Sequence, residues 1–406
     1  MKINKLIGGI LIGIGSFLIL LLSGCEYKGP NSSWDELEKR EKIMVEIERV
    51  EPEQAGAASE LTIIGTNFST NSEENWVYIE NVRCVVKSCT DASIVIYRPN
   101  VVGNSLTIKV SVLNAINVAT FSPYKMEAVV EDFGNFAGAD AILATTVDQN
   151  ENVYLAMNNT DVIRLKSDGS RDTEFLGTTD YSLWTDMKVS SDGYLYLARS
   201  NNIIYRLPKE GGSTEEYVKF TSRNDRVNSI DFDENDNLFG GGRKTLVVIR
   251  PDGSYEKLGY YSDYDIASVR VYNNYVYVAA ENSSTGIWRH QILDQNGSLG
   301  DQESVLDWST SPYADANIYD ITFSENGVIY IATDNNEVSS IIKYNPDTGS
   351  LEPLFFEIIP SAVEQLVWGN STYLYAVINR NTRFDQGGQL LRINTGEPGA
   401  PYYGRQ

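Results

Sequence analysis

Histidine is almost absent from this chain of 406 residues, with a single copy at His290. A metal cluster built from histidines needs several imidazoles, so the composition excludes one. A Ser-His-Asp triad would have to use His290, and the sequence marks neither of the two partners that it would need. His290 follows Trp288 and Arg289 in a strand-like pattern. We therefore expect it to have a packing or surface role and no catalytic one.

Positive charge is also scarce, with 33 Lys and Arg against 55 Asp and Glu and a formal net charge of −22. Nucleic acids and anionic lipid surfaces are bound through clustered Lys and Arg, so neither is an expected partner. The acidic balance is compatible with cation binding. Calcium, which prefers oxygen ligands, is a possible cofactor, and no other cofactor is expected.

Long apolar runs are confined to the N-terminus. Lys2 and Lys5 precede a nearly continuous apolar segment, residues 6–22, which ends at Ser23, Gly24 and Cys25. A basic start, an apolar core and small residues before a cleavage point predict a secretory signal peptide over residues 1–25. The alternative is a single membrane anchor, because a run of about 17 residues is the lower limit for a spanning helix.

The end of this run, Leu22-Ser23-Gly24-Cys25, resembles the lipobox of bacterial lipoproteins. The resemblance implies that Cys25 is acylated on its thiol and becomes the new N-terminal residue. Glu26 follows, and by resemblance to known sorting rules this favours an outer-membrane or cell-surface location. Residues 26–42 are polar and contain Gly29-Pro30-Asn31, so they are predicted to form a linker.

Only three cysteines occur, and lipidation would use one of them. Cys84 and Cys89 remain, in a compartment where disulfides are allowed. A hairpin could place them opposite each other at bonding distance. Two free thiols are the equally weighted alternative.

Residues 43–125 have a β pattern, with Pro52 and Gly56 in an early turn and a run at residues 61–68 that contains Gly65, Asn67 and Phe68. Short alternating strands separated by turn residues predict a sandwich. The Gly-x-Asn-Phe signature resembles the opening of IPT/TIG domains, which are immunoglobulin-like. That resemblance implies a spacer or interaction module.

Residues 126–406 contain an internal repeat of about 43 residues, the size of a four-stranded propeller blade. Each unit has an aromatic residue in an apolar strand, followed by a strand that ends in a cation. The aromatic residues are Tyr154, Tyr196, Phe239, Tyr277, Tyr330 and Tyr375. The sequence therefore predicts an all-β protein, an immunoglobulin-like sandwich followed by a six-bladed β-propeller. The repeats resemble NHL-type repeats and the wider class that includes regucalcin-like gluconolactonases.

Two features of the propeller stay open. The last blade is completed either by residues 126–133 or by the segment around Tyr402 and Tyr403, and the first is slightly favoured. Residues 231–237 alternate acidic and amide groups like a calcium loop. They lack the glycine and the distal glutamate of such loops, and they align with the first turn of the other blades, so an ordinary turn is favoured.

The loops that join the fourth strand of one blade to the next blade, and the second strand to the third, open on one face of a propeller. Aromatic and polar residues in these loops are the candidate ligand site. The first set of loops contributes Tyr181, Trp184, Arg226, Tyr261, Tyr264, Trp308 and Tyr313, and the second contributes Asn201, Arg243, Glu281, Asp334 and Arg380.

The domain order resembles IPT/TIG-plus-NHL lipoproteins of Bacteroidota. It implies a non-catalytic envelope protein that binds a glycan or a protein partner through the propeller face and touches the membrane only through its lipid. The alternative function is a metal-dependent, lactonase-like propeller hydrolase. That enzyme would need several carboxylate or amide oxygens that converge at the channel mouth, and no such ligand set is evident in the sequence. A purely structural role in the envelope is a third possibility.

Overall fold

The computed structural model describes residues 42–136, 140–360, 362–378 and 389–405. The predicted signal peptide, Cys25 and the linker up to residue 41 lie outside these residues, as does Arg380. No helix among the described residues is long and apolar enough to cross a membrane. Short 3₁₀ turns occur at Ser72–Glu74, Gly259–Tyr261, Trp308–Thr310 and Tyr403–Arg405. The other regular structure of the described residues is β-strand, which confirms the all-β prediction.

The chain divides into two units, and the smaller one contains Lys42–Met44 together with Asn114–Ile116, joined by a parallel bridge between Ile43 and Ala115. The larger unit begins with a two-sheet sandwich. Its strands are β1 (Glu46–Glu51), β2 (Gln54–Ala55), β3 (Glu60–Thr66), β4 (Asn75–Ile79), β5 (Val82–Arg83), β6 (Val86–Cys89), β7 (Ser93–Tyr97), β8 (Gly103–Val112) and β9 (Val118–Met126). The strand orders of the two sheets are β1-β3-β7-β6 and β2-β9-β8-β4-β5.

Alternation of side chains forms the sandwich core. Leu61 and Ile63 of β3 are fully buried, as are Ile94 and Ile96 of β7, while the residues between them are partly exposed. Successive side chains of a strand point to opposite faces, so a single alternating run supplies one wall of the core.

The disulfide alternative is not what the structure contains, because Cys84 and Cys89 are both free. The expected hairpin does not form between them. Strand β5, just before Cys84, pairs with β4 in one sheet, whereas β6, which ends at Cys89, pairs with β7 in the other. The chain crosses between sheets at this point. Cys84 is buried, and burial raises the pKa of its thiol to about 12.

The remaining strands form six four-stranded antiparallel units arranged as blades. The first three blades are β11 (Ile142–Val147), β12 (Val153–Met157), β13 (Asp161–Leu165) and β14 (Gly177–Thr178); β15 (Asp186–Val189), β16 (Tyr194–Ala198), β17 (Ile203–Pro208) and β19 (Glu215–Lys219); and β20 (Ser229–Phe232), β21 (Leu238–Gly242), β22 (Thr245–Ile249) and β23 (Tyr255–Leu258). The short β18 (Gly212–Ser213) precedes β19 and pairs in parallel with β14 of the first blade.

The last three blades complete the ring. They are β24 (Asp265–Tyr272), β25 (Tyr275–Glu281), β26 (Thr285–Gln291) and β27 (Glu303–Asp307); β28 (Ile318–Phe323), β29 (Ile329–Thr333), β30 (Ile341–Asn345) and β31 (Ser350–Pro353); and β32 (Val363–Trp368), β33 (Tyr373–Ile378) and β34 (Gln389–Asn394) with β10 (Val130–Asp132). Strand β10 pairs with β34, so the segment that precedes the first blade completes the sixth, as the favoured prediction had it.

An ion pair joins the third and fourth strands in every blade. The cation that the sequence places on the third strand meets an acidic residue on the fourth strand or just before it. The six pairs are Arg164–Asp172, Arg206–Glu215, Arg250–Glu256, Arg289–Glu303, Lys343–Glu352 and Arg392–Glu131. The repeated cation is therefore part of the blade structure and not of a ligand site.

The acidic segment at residues 231–237 forms an ordinary turn. The Asp233 carboxylate accepts hydrogen bonds from the backbone N–H groups of Asn235 and Asn237, and Asp236 has a φ of 60°. Asp148 accepts the same bonds from Asn150 and Asn152 in the first blade. Asn and Asp favour such turns because their side chains bond nearby backbone groups.

Candidate ligand site on the propeller

The innermost strands of the blades carry polar side chains into the centre of the propeller. Arg270 on β24 lies 2.7 Å from a carboxylate oxygen of Asp320 and 3.5 Å from one of Asp186, and Lys188 lies 2.6 Å from Asp186. These four side chains are at least nine-tenths buried. We call them, together with Gln365, the hub.

The charges of the hub neutralise one another. Burial opposes the charge on Arg270, but the carboxylates of Asp320, Asp186 and Asp231 outweigh it and raise the arginine pKa above its ordinary value. Burial likewise opposes ionisation of Asp186, and the cations of Lys188 and Arg270 outweigh it and lower the carboxyl pKa. Buried ions persist when they are paired and hydrogen-bonded in this way.

Hydrogen bonds extend the hub to all six blades. Asp320 accepts from the backbone N–H of Leu366 on the sixth blade, and Asp186 accepts from the Ser229 hydroxyl on the third. The Gln365 amide donates to the carbonyl oxygens of Leu143 and Thr185 on the first and second blades. The centre of the propeller is therefore filled by a polar network at this level.

A segment near the C-terminus covers the end of the channel at the first turns of the blades. The Ala400 N–H donates to the Phe323 carbonyl, and the Tyr402 hydroxyl donates to the Val189 carbonyl over 2.8 Å. Behind it lies a cavity of about 50 Å³ lined by Asp231, Lys188 and other side chains. One oxygen of Asp231 has no hydrogen-bond partner, and burial raises the pKa of this carboxyl to about 6.

The described residues contain no group of three or more His, Cys, Asp or Glu side chains that could hold a metal ion. The buried carboxylates at the channel centre, Asp186 and Asp320, already contact Lys188 and Arg270. A calcium ion there would compete with these fixed cations. The residues present therefore do not fit a central calcium site.

The loops at the opposite end of the channel form the face where the ligand site is expected, hereafter the open face. A cleft of about 220 Å³ lies there between the fourth and fifth blades. Ile266, Ala280 and Ile318 are its buried apolar residues. Ala267, polar residues and one partly exposed ring complete its lining, the latter being Asp265, Glu281, Thr285, Asn317 and Tyr319.

Two like charges face each other in this cleft. Asp265 and Glu281 are directly opposite partners in the β24–β25 pair, and both are exposed. Like charges placed opposite each other destabilise a sheet slightly. The Arg243 guanidinium offsets Asp265 only in part, from a distance of 3.9 Å. The cleft thus holds exposed hydrogen-bond acceptors that the fold does not need.

The Asn317 amide is positioned at the edge of the cleft by Asp334. Both the backbone N–H and the side-chain nitrogen of Asn317 donate to the Asp334 carboxylate at 2.8 Å, and the Tyr319 hydroxyl lies 3.4 Å from the same carboxylate. Of the residues expected on this face, Glu281 therefore lines the cleft, and Asp334 contacts its edge through Asn317.

The large aromatic residues expected on this face are mostly packed inside the protein. Trp184, Tyr261 and Trp308 are 3%, 0% and 0% exposed, so the expectation that they present rings to a ligand is corrected. The Trp184 indole N–H donates to the Thr179 hydroxyl, and that of Trp308 donates to the Ala316 carbonyl. These loop residues fold inward and fill the space between neighbouring blades.

The other residues of the expected set have mixed positions. Tyr264 and Tyr313 are partly buried against Trp288 and Trp308 respectively. Tyr181 is 39% exposed, and Arg226 and Arg243 are exposed. Asn201 caps its own loop by accepting from the Ile203 N–H.

His290 has the packing role that its sequence context suggests. It is fully buried, with Nδ1 3.0 Å from the Gly300 carbonyl and Nε2 3.0 Å from the Tyr261 hydroxyl. Burial lowers the pKa of its imidazole. Both ring nitrogens are engaged by the protein.

Sequence comparison identifies one family in the chain. Residues 46–127 match the IPT/TIG domain model, which agrees with the two-sheet sandwich. No curated protein matches the sequence significantly.

Three solved structures are similar in fold to most of this chain. An auxiliary nutrient binding protein from Bacteroides thetaiotaomicron is 13% identical, with a TM-score of 0.51 and coverage of 86% of this chain and 97% of that one. A candidate phosphatase from the same species is 12% identical, with a TM-score of 0.53 and coverage of 87% and 97%. A gluconolactonase from Xanthomonas campestris is 12% identical, with a TM-score of 0.50 and coverage of 66% and 89%. At these identities the likeness concerns the fold alone.

Sequence reasoning missed the hub and part of the cleft. Two hub residues, Lys188 and Arg270, and the neighbouring Asp231 are the direct partners of the repeated aromatic residues Tyr196, Tyr277 and Phe239. A charged residue at that fixed position of an otherwise apolar strand was the signal available. Asn317 and Tyr319 carry no comparable signal. The pairing of β28 with β29 is irregular between Ile318 and Asp320, and this irregularity is visible only in the structure.

Proposed function

We propose that this protein is a non-catalytic binding protein of the bacterial cell envelope that captures a glycan on the open face of its propeller. The observation that carries the proposal is the combination of a filled channel centre with a separate cleft on that face. The carboxylates at the centre are neutralised by Lys188 and Arg270, whereas Asp265 and Glu281 in the cleft are exposed.

The cleft has the mixed character of a carbohydrate site. Its carboxylates accept hydrogen bonds from hydroxyl groups, the Asn317 amide supplies a polar group at the edge, and the Tyr319 ring and apolar floor suit the C–H face of a sugar. Its volume of about 220 Å³ is below the ~300–1,000 Å³ typical of sites that enclose a whole small ligand. We therefore propose that it holds one ring of a longer chain.

The name of the Bacteroides nutrient binding protein agrees with capture, and the name of the gluconolactonase keeps a propeller hydrolase as the second candidate. The hydrolase is less favoured because the carboxylates at the channel centre, Asp186 and Asp320, are already paired with Lys188 and Arg270 and are not available to a metal. A protein partner for the same face is an outcome that the experiment below separates. Acylation of Cys25 would anchor the protein to the membrane through the linker of residues 26–42.

The test is binding of the soluble chain, residues 26–406, to a panel of oligosaccharides, in calcium and in chelator. We expect binding without turnover, unaffected by the chelator. The change Glu281→Gln should weaken it about threefold to tenfold, because a hydrogen bond to a charged acceptor is lost. Glu325→Gln is the matched control, since Glu325 is exposed on a first turn at the other end of the channel.

Product formation that depends on calcium would replace the proposal with the hydrolase. Absence of binding across the panel, with retention of an envelope protein by the same face, would replace glycan with a protein partner. Equal weakening by the two glutamate variants would move the site away from the cleft.

A further inference from the structure

Arginines cluster on the open face, beside the cleft, in a protein whose net charge is −22. Arg199, Arg226 and Arg243 lie on three connections that are neighbours in space, namely β16–β17, β19–β20 and β21–β22. We infer that these three arginines, hereafter the arginine rim, bind the carboxylate groups of an acidic polysaccharide. This inference rests on the proposed function and names its ligand class.

Backbone contacts hold the three connections together. Ser200 and Asn201, next to Arg199, are hydrogen-bonded to Val227, next to Arg226. On the other side, a Cβ atom added at Gly242 would lie 2.1 Å from the Arg226 carbonyl oxygen, so only glycine permits this approach. Gly242 directly precedes Arg243, and the rim is therefore fixed by the fold.

Acidic side chains of the protein neutralise little of the positive charge of the arginine rim. The blade cations all pair with acids on or just before their fourth strands, but Arg199 and Arg226 have no ion pair or side-chain hydrogen bond among the described residues. Arg243 meets Asp265 only at 3.9 Å. The nearby Asp225 is occupied by Lys257, 2.5 Å away. The positive charge is thus available to a ligand.

Arg199 is also held in a fixed orientation. Its guanidinium lies 4.3 Å from the centre of the Tyr181 ring, and its Nε atom is buried. An arginine stacked on a ring loses little freedom when it binds, and its planar fork matches a carboxylate. Tyr181, 39% exposed, offers apolar surface next to that fork. A ligand that carries a carboxylate next to a sugar ring, which is a uronic acid, would use both the Arg199 fork and the Tyr181 ring. An acidic peptide would not need the exposed Tyr181 ring.

The probes are an oligogalacturonate, its carboxyl-reduced neutral counterpart of equal length, and a poly-glutamate peptide, each titrated against the soluble chain. We expect the oligogalacturonate to bind at least about tenfold more tightly than the neutral form, with a preference that disappears in high salt. Arg226→Ala should weaken only the acidic ligand, about threefold to tenfold, and Arg243→Ala, whose partner Asp265 lines the cleft, should weaken the acidic ligand by a similar factor. Arg171→Ala is the matched control, because Arg171 is exposed and without an ion pair or side-chain hydrogen bond in the described chain but lies on the opposite side of the first blade.

Each result decides the inference. Equal binding of the acidic and neutral oligosaccharides would overturn it and leave glycan capture intact. Binding of poly-glutamate as tight as that of the oligogalacturonate would overturn it in favour of a protein partner. If Arg171→Ala weakens binding as much as the rim variants do, the preference for the acidic ligand reflects the overall charge of the protein, and the inference is overturned. If none of the sugars binds, the proposed function itself is overturned.

Discussion

The Arg392 guanidinium lies 2.7 Å from the Glu131 carboxylate, and this pair joins the two ends of the propeller sequence. In the other five blades the two charged residues are at most 14 residues apart in the chain. In the sixth blade the acid comes from β10, more than 250 residues before its partner. Closure of the ring therefore uses the side-chain pattern that builds each separate blade.

We predict that the backbone pairing of β10 with β34, and not the charge of Glu131, holds the ring of blades closed. Glu131 is 46% exposed in its side chain, so Glu131→Gln should lower the free energy of unfolding by less than ~1 kcal/mol. Glu131→Pro also removes the backbone N–H of β10 and should cost ~1–3 kcal/mol more. Urea denaturation of both variants measures the difference. Equal losses for the two would mean that β10 contributes little to closure.

The hub predicts a much larger effect from a single carboxylate. Asp320→Ala leaves the Arg270 cation buried without its main partner, so we expect a loss of about 3–5 kcal/mol. Glu352→Ala is the control, because Glu352 is half exposed and 3.9 Å from Lys343, and it should cost less than ~1 kcal/mol. Similar urea midpoints for these two variants would contradict the structural importance of the hub.

The pH dependence of stability should contain a contribution from Asp231. Its folded pKa of about 6 is above the ordinary value of 3.8, so between these values the folded state binds more protons than the unfolded state. Stability is therefore lost as pH rises from about 4 to 6, and the loss persists at higher pH. Asp231→Asn should raise Tm at pH 8, by an amount equivalent to about 2–3 kcal/mol, and should have little effect at pH 4.

His290 acts in the opposite direction over part of this range. Its folded pKa is lowered by burial, so the unfolded state takes up the proton first and stability falls as pH drops below about 6.5. Asp231 must therefore be measured as the difference between variant and wild type at each pH. The exposed Asp263→Asn is the control. Parallel Tm profiles for Asp231→Asn and wild type would show that another group titrates.

The fold was accessible from the sequence because both modules rest on local repetition. An aromatic residue and a cation recur at blade spacing from Tyr154 to Arg392, and each repeat contains its own turn residues. The IPT/TIG signature around Gly65 and Phe68 is similarly local. The burial of Trp184 and Trp308 was not accessible, because a loop residue folds inward only when neighbouring blades leave space for it. The cleft depends on residues from two blades, and no linear pattern records their approach.

The cysteines provide a prediction that separates the two alternatives of the sequence analysis. With Cys84 just after β5 of one sheet and Cys89 at the end of β6 in the other, both thiols should be free in a chain purified without reductant and without Cys25. Alkylation of the native protein should modify Cys89 much faster than Cys84, because Cys84 is buried and its pKa of about 12 leaves almost no thiolate at neutral pH. Peptide mass spectrometry after a timed iodoacetamide pulse measures both rates. After denaturation the two rates should become similar, which is the internal control. A native protein in which neither cysteine reacts until a reductant is added would instead establish the disulfide, and with it a hairpin that the crossing between the two sheets does not allow.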